Sequence, residues 1–505
     1  MNSLTISVVK KKIPTKQHCL KVASLLQATE GVIYMRGGLE GNRDDTDIEL
    51  QFRQESNFFY LTGVNQPGFH FVFDLKTHTA TLVAPVVPPQ IILWKGPPDS
   101  LPTLIKKYDV DAAILASDLH ALLYALSPSA IHILDNANVS AIEPFAGLLT
   151  TAELRPALYE SRLIKTPWEI AHIRRVTHVS SHAHIALMRT VQFGMCEYEL
   201  QALFEYECAR NGALRQGYLP IVASGRNAAT LHYTKNDAVL ARTDPDMLLL
   251  IDAGAEQDCY GTDITRTFPV RGEFSRKARV IYEIVLKMQK VLCWFMPFCD
   301  TFRFMRHWLM SLSCPHRHHH QRLQSVLALL RPGVLWKNLQ QLTTDILCHE
   351  LIALGILVGD EEKLIDLHVV RAFYPHGLGH SVGLDVHDVG GKGAGIFSTS
   401  SEFADSSQRH LFLLERPLEA GMVLTIEPGC YFNDAVLRTW LAQPELSIYF
   451  DLEQIEKFRD VGGVRIEDTV LITEEGYENF TIAPKEVNDI EALMAGARDK
   501  WVGFW

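Results

Sequence analysis

The stretch Asp252-Ala-Gly-Ala-Glu-Gln-Asp-Cys-Tyr-Gly-Thr-Asp263-Ile-Thr constrains this chain more than any other. Asp252 closes an apolar run that starts at Leu248, and Asp263 stands just before the alternating residues Ile264, Thr265, Arg266, Thr267 and Phe268. That pattern predicts a hairpin that brings the two acids side by side. Neighbouring carboxylates repel unless they share a proton or hold a cation, and a divalent metal lets both stay ionised in a buried place.

The chain has 505 residues, too many for one hydrophobic core, so two domains are expected. A net charge of −11 argues against a general affinity for nucleic acid or an anionic membrane surface. The first residues carry Lys10, Lys11 and Lys12 without the apolar core of a signal peptide, and no later run is long enough to span a bilayer. Nine cysteines without CxxC spacing fit a reducing compartment, so a cytoplasmic location is expected, with no membrane partner.

The fold class read from the pattern is mixed α/β. Residues 16–28 read as a helix, and residues 31–34 and 71–73 as strands. The aromatic-rich residues 52–63 read as core packing around a turn. Proline and polar residues in 154–169 suggest a linker, after which Thr166-Pro-Trp-Glu169 carries a capping signal for a long helix. This places one domain over residues 1–155 and a second over 156–505.

Residues 290–324 do not match their surroundings. They hold six aromatics, Cys293, Cys299, Cys314 and the tract His316-Arg-His-His-His320, with Asp300 as their only acid. Ile281, Ile284, Val285 and Met288 mark a helix stripe, which Val326, Leu327 and Leu330 continue if residues 290–324 are taken out. Three readings compete: a lineage-specific surface loop, a Cys/His metal clip, or translated non-coding sequence, which the composition fits best. The spacings match no zinc-finger pattern.

Four further segments are individually weak and collectively specific: Pro375-His376-Gly-Leu-Gly-His380, Leu384-Asp-Val-His387-Asp-Val-Gly390, Thr425-Ile-Glu427-Pro-Gly429 and Gly463-Val-Arg465-Ile-Glu467-Asp468. Asp252, Asp263, His380, Glu427 and Glu467 make an oxygen-rich set for two divalent ions, drawn to roughly 3.5–4 Å by bridging carboxylates. Manganese, cobalt or iron suit such a set better than a thiolate-held structural zinc.

In this order, and with Ser224-Gly-Arg-Asn-Ala-Ala-Thr-Leu-His232-Tyr, these segments resemble the pita-bread metallopeptidases, most closely their proline-specific branch, aminopeptidase P and prolidase. The resemblance covers nearly the whole chain. It implies an amino-terminal creatinase/prolidase-like domain followed by a pita-bread catalytic domain. It further implies two Mn2+ ions, with Co2+, Fe2+ or Zn2+ as substitutes, and a homodimer. By that similarity Asp252 chelates one metal, Asp263 and Glu467 bridge both, and His380 and Glu427 complete the other set. His232, His376 and His387 would surround the substrate, supported by Tyr431 and Arg465, and Glu427 would carry the proton to the leaving nitrogen.

The implied reaction is hydrolysis of the bond before a proline in second position, on dipeptides or longer peptides, by a hydroxide bridging the two metals. Residues 391–414 depart from the prolidase pattern that supplies an arginine for a dipeptide's carboxylate. Arg409 and Arg416 lie nearby, and Leu413 stands at the aligned position. A strict dipeptidase and a metal-free binding module on the same fold are the alternatives, and creatinase, which works without metal, is disfavoured by the filled ligand positions.

Overall fold

The computed structural model describes residues 12–135, 139–290, 329–389 and 416–498. Lys10 and Lys11, nearly all of the segment 290–324, Val326, Leu327, Gly390 and the stretch 391–414 with Arg409 and Leu413 lie outside the described residues. The chain forms two compact units, one up to Glu169 and one from Ile170 onward.

The first unit is built on a six-stranded sheet. From one edge to the other its strands are Ala112–Leu115, Thr79–Ala84, His70–Asp74, Val32–Arg36, Ile131–His132 and Leu149–Thr150. The expected helix spans Thr15–Leu26, and the two expected strands fall inside Val32–Arg36 and His70–Asp74. The aromatic segment is core, since every residue of helix Ser56–Thr62 is buried. The linker reading of residues 154–169 is corrected in part, because Leu154–Leu163 is a helix. Pro156 sits in the first turn, where a missing N–H costs nothing, and Leu154, Leu158 and Leu163 are fully buried. The capping signal acts as expected: Glu169 Oε2 accepts from Thr166 N at 2.8 Å, and Thr166 Oγ1 from Glu169 N at 3.4 Å, opening helix Pro167–Thr190.

The second unit wraps small antiparallel sheets with helices. Leu248–Asp252 runs between Ile221–Ser224 and Thr265–Pro269, with Asp252 opposite both Ile221 and Thr265. A second sheet orders Val423–Ile426, Asp468–Ile472 and Tyr477–Asn479, while Gly429–Tyr431 pairs with Gly463–Arg465. Helix Arg276–Gln289 buries the stripe Ile281, Ile284, Val285 and Met288, as its spacing predicts.

Candidate metal centre

The predicted hairpin forms. Ala255–Gln257 pairs with Tyr260–Gly261 across a turn in which Asp258 and Cys259 both take left-handed φ, at 48° and 60°. Gly254 lets the two arms close: a Cβ there would meet the Thr262 carbonyl oxygen at 1.7 Å. The arms therefore carry Asp252 and Asp263 to a common point, where Tyr218 Oη lies 2.5 Å from Oδ1 of each.

Glu427 and Glu467 reach the same place from equivalent positions. Each sits at the joint where one strand ends and the next begins, Glu427 between Val423–Ile426 and Gly429–Tyr431, Glu467 between Gly463–Arg465 and Asp468–Ile472. Glu427 N donates to Leu378 O at 2.8 Å, and Glu467 N donates to Thr265 O at 3.1 Å, so both joints are fixed by backbone. His380 is held against the first joint by Thr425, which exchanges 2.8 and 3.0 Å bonds with its backbone.

Ligand atoms of three overlapping sets lie within 4.8 Å of one another: Asp252, Asp263 and Glu467; His380, Glu427 and Glu467; and Asp263, His380 and His387. All five residues expected as ligands are thus brought together. His387, expected beside the substrate, also stands close to this set, its ring 4.2 Å from that of His380.

Two observations fit a bound metal. His380 Nδ1 faces the carbonyl of Ser381 at 3.1 Å and so carries the proton. Its Nε2 faces the acids, 3.3 Å from Asp263 Oδ2 and 3.5 Å from Glu427 Oε1. Glu467 Oε2 accepts from Thr265 Oγ1 at 2.7 Å, whereas its buried Oε1 has no hydrogen-bond partner. A buried carboxylate oxygen with no donor is costly unless a cation meets it.

The electrostatics agree. Burial, then Asp252 and Glu427, pushes the Asp263 carboxyl well above its ordinary range; burial and Glu467 do the same to Glu427, and burial and Asp263 to Glu467. Burial also pulls His380 down to about 4, and burial and Arg465 pull His376 down to about 3, so both rings are neutral at pH 7.

Arg465 ties the acids to the histidines. Nη2 donates to Asp252 Oδ2 at 2.6 Å, Nε to Thr265 Oγ1 at 2.9 Å, and Nη1 to Tyr431 Oη at 3.0 Å. Tyr431 donates in turn to His376 Nε2 at 2.8 Å, while His376 Nδ1 donates to the Gly377 carbonyl at 2.8 Å. His376 is therefore held on both sides, and His232 and His387 are the exposed histidines of the three.

All ten expected site residues line or abut one cavity of about 860 Å3, which His232, His376, His387, Tyr431 and Arg465 border together with the five candidate ligands. The cavity is also bordered by Arg371, Asn433 and Trp440, which the sequence reading did not pick out. Nor did it find Tyr218. Nothing beside Tyr218 in sequence sets it apart from other tyrosines; the pairing of Ile221 with Asp252 brings its segment to the acids.

Residues 17–133 match the family "Aminopeptidase P, N-terminal domain", and residues 171–294 and 316–474 match metallopeptidase family M24. A probable Xaa-Pro aminopeptidase of Fusarium vanettenii is 36% identical across 97% of this chain and 98% of its own length. Aminopeptidase P of E. coli with the inhibitor Pro-Leu superposes with a TM-score of 0.74 at 30% identity, covering 97% of this chain and 100% of that one. The zinc-substituted form of the E. coli enzyme in complex with product matches with the same TM-score at 31% identity and the same coverage. By both matches the chain belongs to metallopeptidase family M24, the pita-bread metallopeptidases, and carries the amino-terminal domain of aminopeptidase P.

Proposed function

We propose that this protein is a two-metal Xaa-Pro aminopeptidase, with residues 1–155 as its amino-terminal domain and residues 156–505 as the catalytic one. The observation that carries this reading is the gathering of Asp252, Asp263, His380, Glu427 and Glu467 in overlapping sets, with a buried Glu467 oxygen that no donor meets. Asp252, Asp263, His380, Glu427 and Glu467 would hold the ions in this reading. Two divalent ions in such a set supply an activated water and polarise the scissile carbonyl.

The chain's own groups do the rest. Glu427 takes the proton of the attacking water and delivers it to the departing proline nitrogen. That nitrogen belongs to a tertiary amide with no N–H, so the site must hold the substrate by other groups. His232 and His387, at the exposed rim, suit the carbonyl and the leaving segment, and His376 is kept neutral and oriented beneath them by Tyr431 and Arg465.

A set of one imidazole and four carboxylates suits Mn2+ as the native ion. The cytoplasm suits the six described cysteines, all of them buried thiols outside any disulfide. A homodimer is the assembly we expect, checked by light scattering.

The deciding experiment measures proline-peptide cleavage by metal-stripped protein with and without added Mn2+, on an Xaa-Pro dipeptide and an Xaa-Pro-Yaa tripeptide, beside Asp263→Ala. Mn2+-dependent release of the first residue from the tripeptide, absent in the variant, supports the aminopeptidase. Cleavage of the dipeptide alone would replace it with the dipeptidase, and no cleavage by folded, metal-loaded protein would remove both.

A further inference from the structure

Glu197 is the first residue of helix Glu197–Arg210, far in sequence from every residue of the metal centre, and its side chain is fully buried. A buried carboxylate is retained only where charge or donors compensate it. Here five donors do so. Oε1 accepts from Ser224 N at 2.8 Å, Ser224 Oγ at 2.7 Å and Asn227 Nδ2 at 3.3 Å. Oε2 accepts from Tyr233 Oη at 2.9 Å and Ala238 N at 3.0 Å.

All five donors belong to residues 224–238, and they fall at its start, its middle and its end. The helix adds a backbone bond, Glu197 N to Ala238 O at 3.0 Å. One carboxylate therefore closes this segment into a loop. His232 stands in the loop directly before Tyr233 and borders the same cavity as His376 and the candidate ligands. The loop's other flank is fixed by Asn433 Nδ2, which donates to Ala229 O at 2.8 Å.

We propose that Glu197 is a positioning residue for catalysis: through the Ser224, Asn227, Tyr233 and Ala238 donors it sets the place of His232 against the substrate. The inference rests on the reading that His232 contacts substrate. A glutamine cannot replace the carboxylate, because its NH2 group would face donors where an acceptor is needed, whichever way the amide turns.

The test is a double-mutant cycle. Glu197→Gln and the milder Tyr233→Phe, which removes one of the five donors to Glu197 together with the hydroxyl's contacts to Asn227 and Asp237, are each made with His232 present and in a His232→Ala background. Metal content is measured in every variant. With His232 present, each lowers kcat/KM on an Xaa-Pro-Yaa tripeptide about tenfold at unchanged metal content; without His232, each changes it by less than about twofold. Equal losses in both backgrounds would show a general structural role and overturn the proposal, as would no loss with His232 present. Should Glu197→Gln fail to fold, Tyr233→Phe alone decides. Hydrogen exchange gives a readout free of activity: Tyr233→Phe speeds exchange across residues 224–238 and leaves Leu248–Asp252 unchanged. Unaltered exchange in the loop would also overturn the tether. If the unsubstituted protein cleaves no Xaa-Pro peptide, the proposed function falls, and the exchange result still judges the tether.

Discussion

Arg465 Nη2 and Asp252 Oδ2 stand 2.6 Å apart in a buried ion pair that joins the candidate metal-binding acids to the Tyr431 and His376 relay. Removing one partner of such a pair strands the other charge in a low-dielectric site, which costs roughly 3–5 kcal/mol. Arg465→Gln is expected to lose stability on that order in urea unfolding and to lower kcat/KM at least about a hundredfold. Arg465→Lys keeps the charge without the planar fork, so it should recover more of the stability than of the activity. Equal activity of Arg465→Lys and the unsubstituted protein would contradict the relay.

Metal uptake should release protons. Without a cation, burial and mutual repulsion hold Asp263, Glu427 and Glu467 above their ordinary range, so ions displace protons on binding. Mn2+ affinity is expected to rise from pH 5.5 to pH 8. Titration calorimetry in buffers of different ionisation enthalpy measures the proton count, and a value of zero at pH 6 would refute the ligand set.

Gly254→Ala should open the hairpin. The added Cβ would sit 1.7 Å from the Thr262 carbonyl, a backbone atom that cannot swing away, so the arms bearing Asp252 and Asp263 must part. A loss of about 3 kcal/mol in stability is expected. Metal affinity falls with it, measured as a smaller rise in Tm on adding Mn2+ than the parent shows.

Acid should weaken the protein through a histidine outside the centre. Burial holds His184 down at about 4, with its ring facing the Ala253 carbonyl and packed against Phe204. Its folded pKa lies below the unfolded value of about 6.5, so the unfolded chain binds the extra proton between those values. Stability contributed by this group is present above pH 6.5 and is lost as pH falls toward 4, by about 1.4 kcal/mol per pH unit. His184→Gln keeps a donor for Ala253, and its unfolding free energy should depend less on pH by that slope. Identical slopes would refute the assignment.

Deleting residues 290–324 should raise soluble yield and Tm, because a stretch with six aromatics and one acid is an aggregation-prone sequence that the helix stripe does not need. Equal melting of the two forms would contradict this, and transcripts that consistently retain those codons would exclude the unspliced-intron reading.

The centre was legible where its chemistry is written locally. Asp252 and Asp263 each border a strand pattern within one short segment, and the hairpin formed as that pattern requires. Glu427 and Glu467 were recognisable from the motifs around them. What sequence did not disclose depends on partners remote in the chain. Tyr218 meets the acids only through the pairing of Ile221 with Asp252, and Glu197 meets its loop only across a tertiary fold. Residues 154–163 misled because proline and polar residues speak for a linker locally, while the buried faces of Leu154, Leu158 and Leu163 decide for a helix.

The two joints that present Glu427 and Glu467 lie near the end of the chain, and the hairpin that presents Asp252 and Asp263 lies at its middle. During synthesis the aspartates leave the ribosome long before either glutamate is made. A nascent chain that ends before His380 can offer an ion only the two aspartates of the set, and one truncated before Glu467 still lacks one of its four carboxylates. Such non-local closure is slow and comes last. If these residues hold the metals, full loading would therefore mark that translation and folding of this unit are complete.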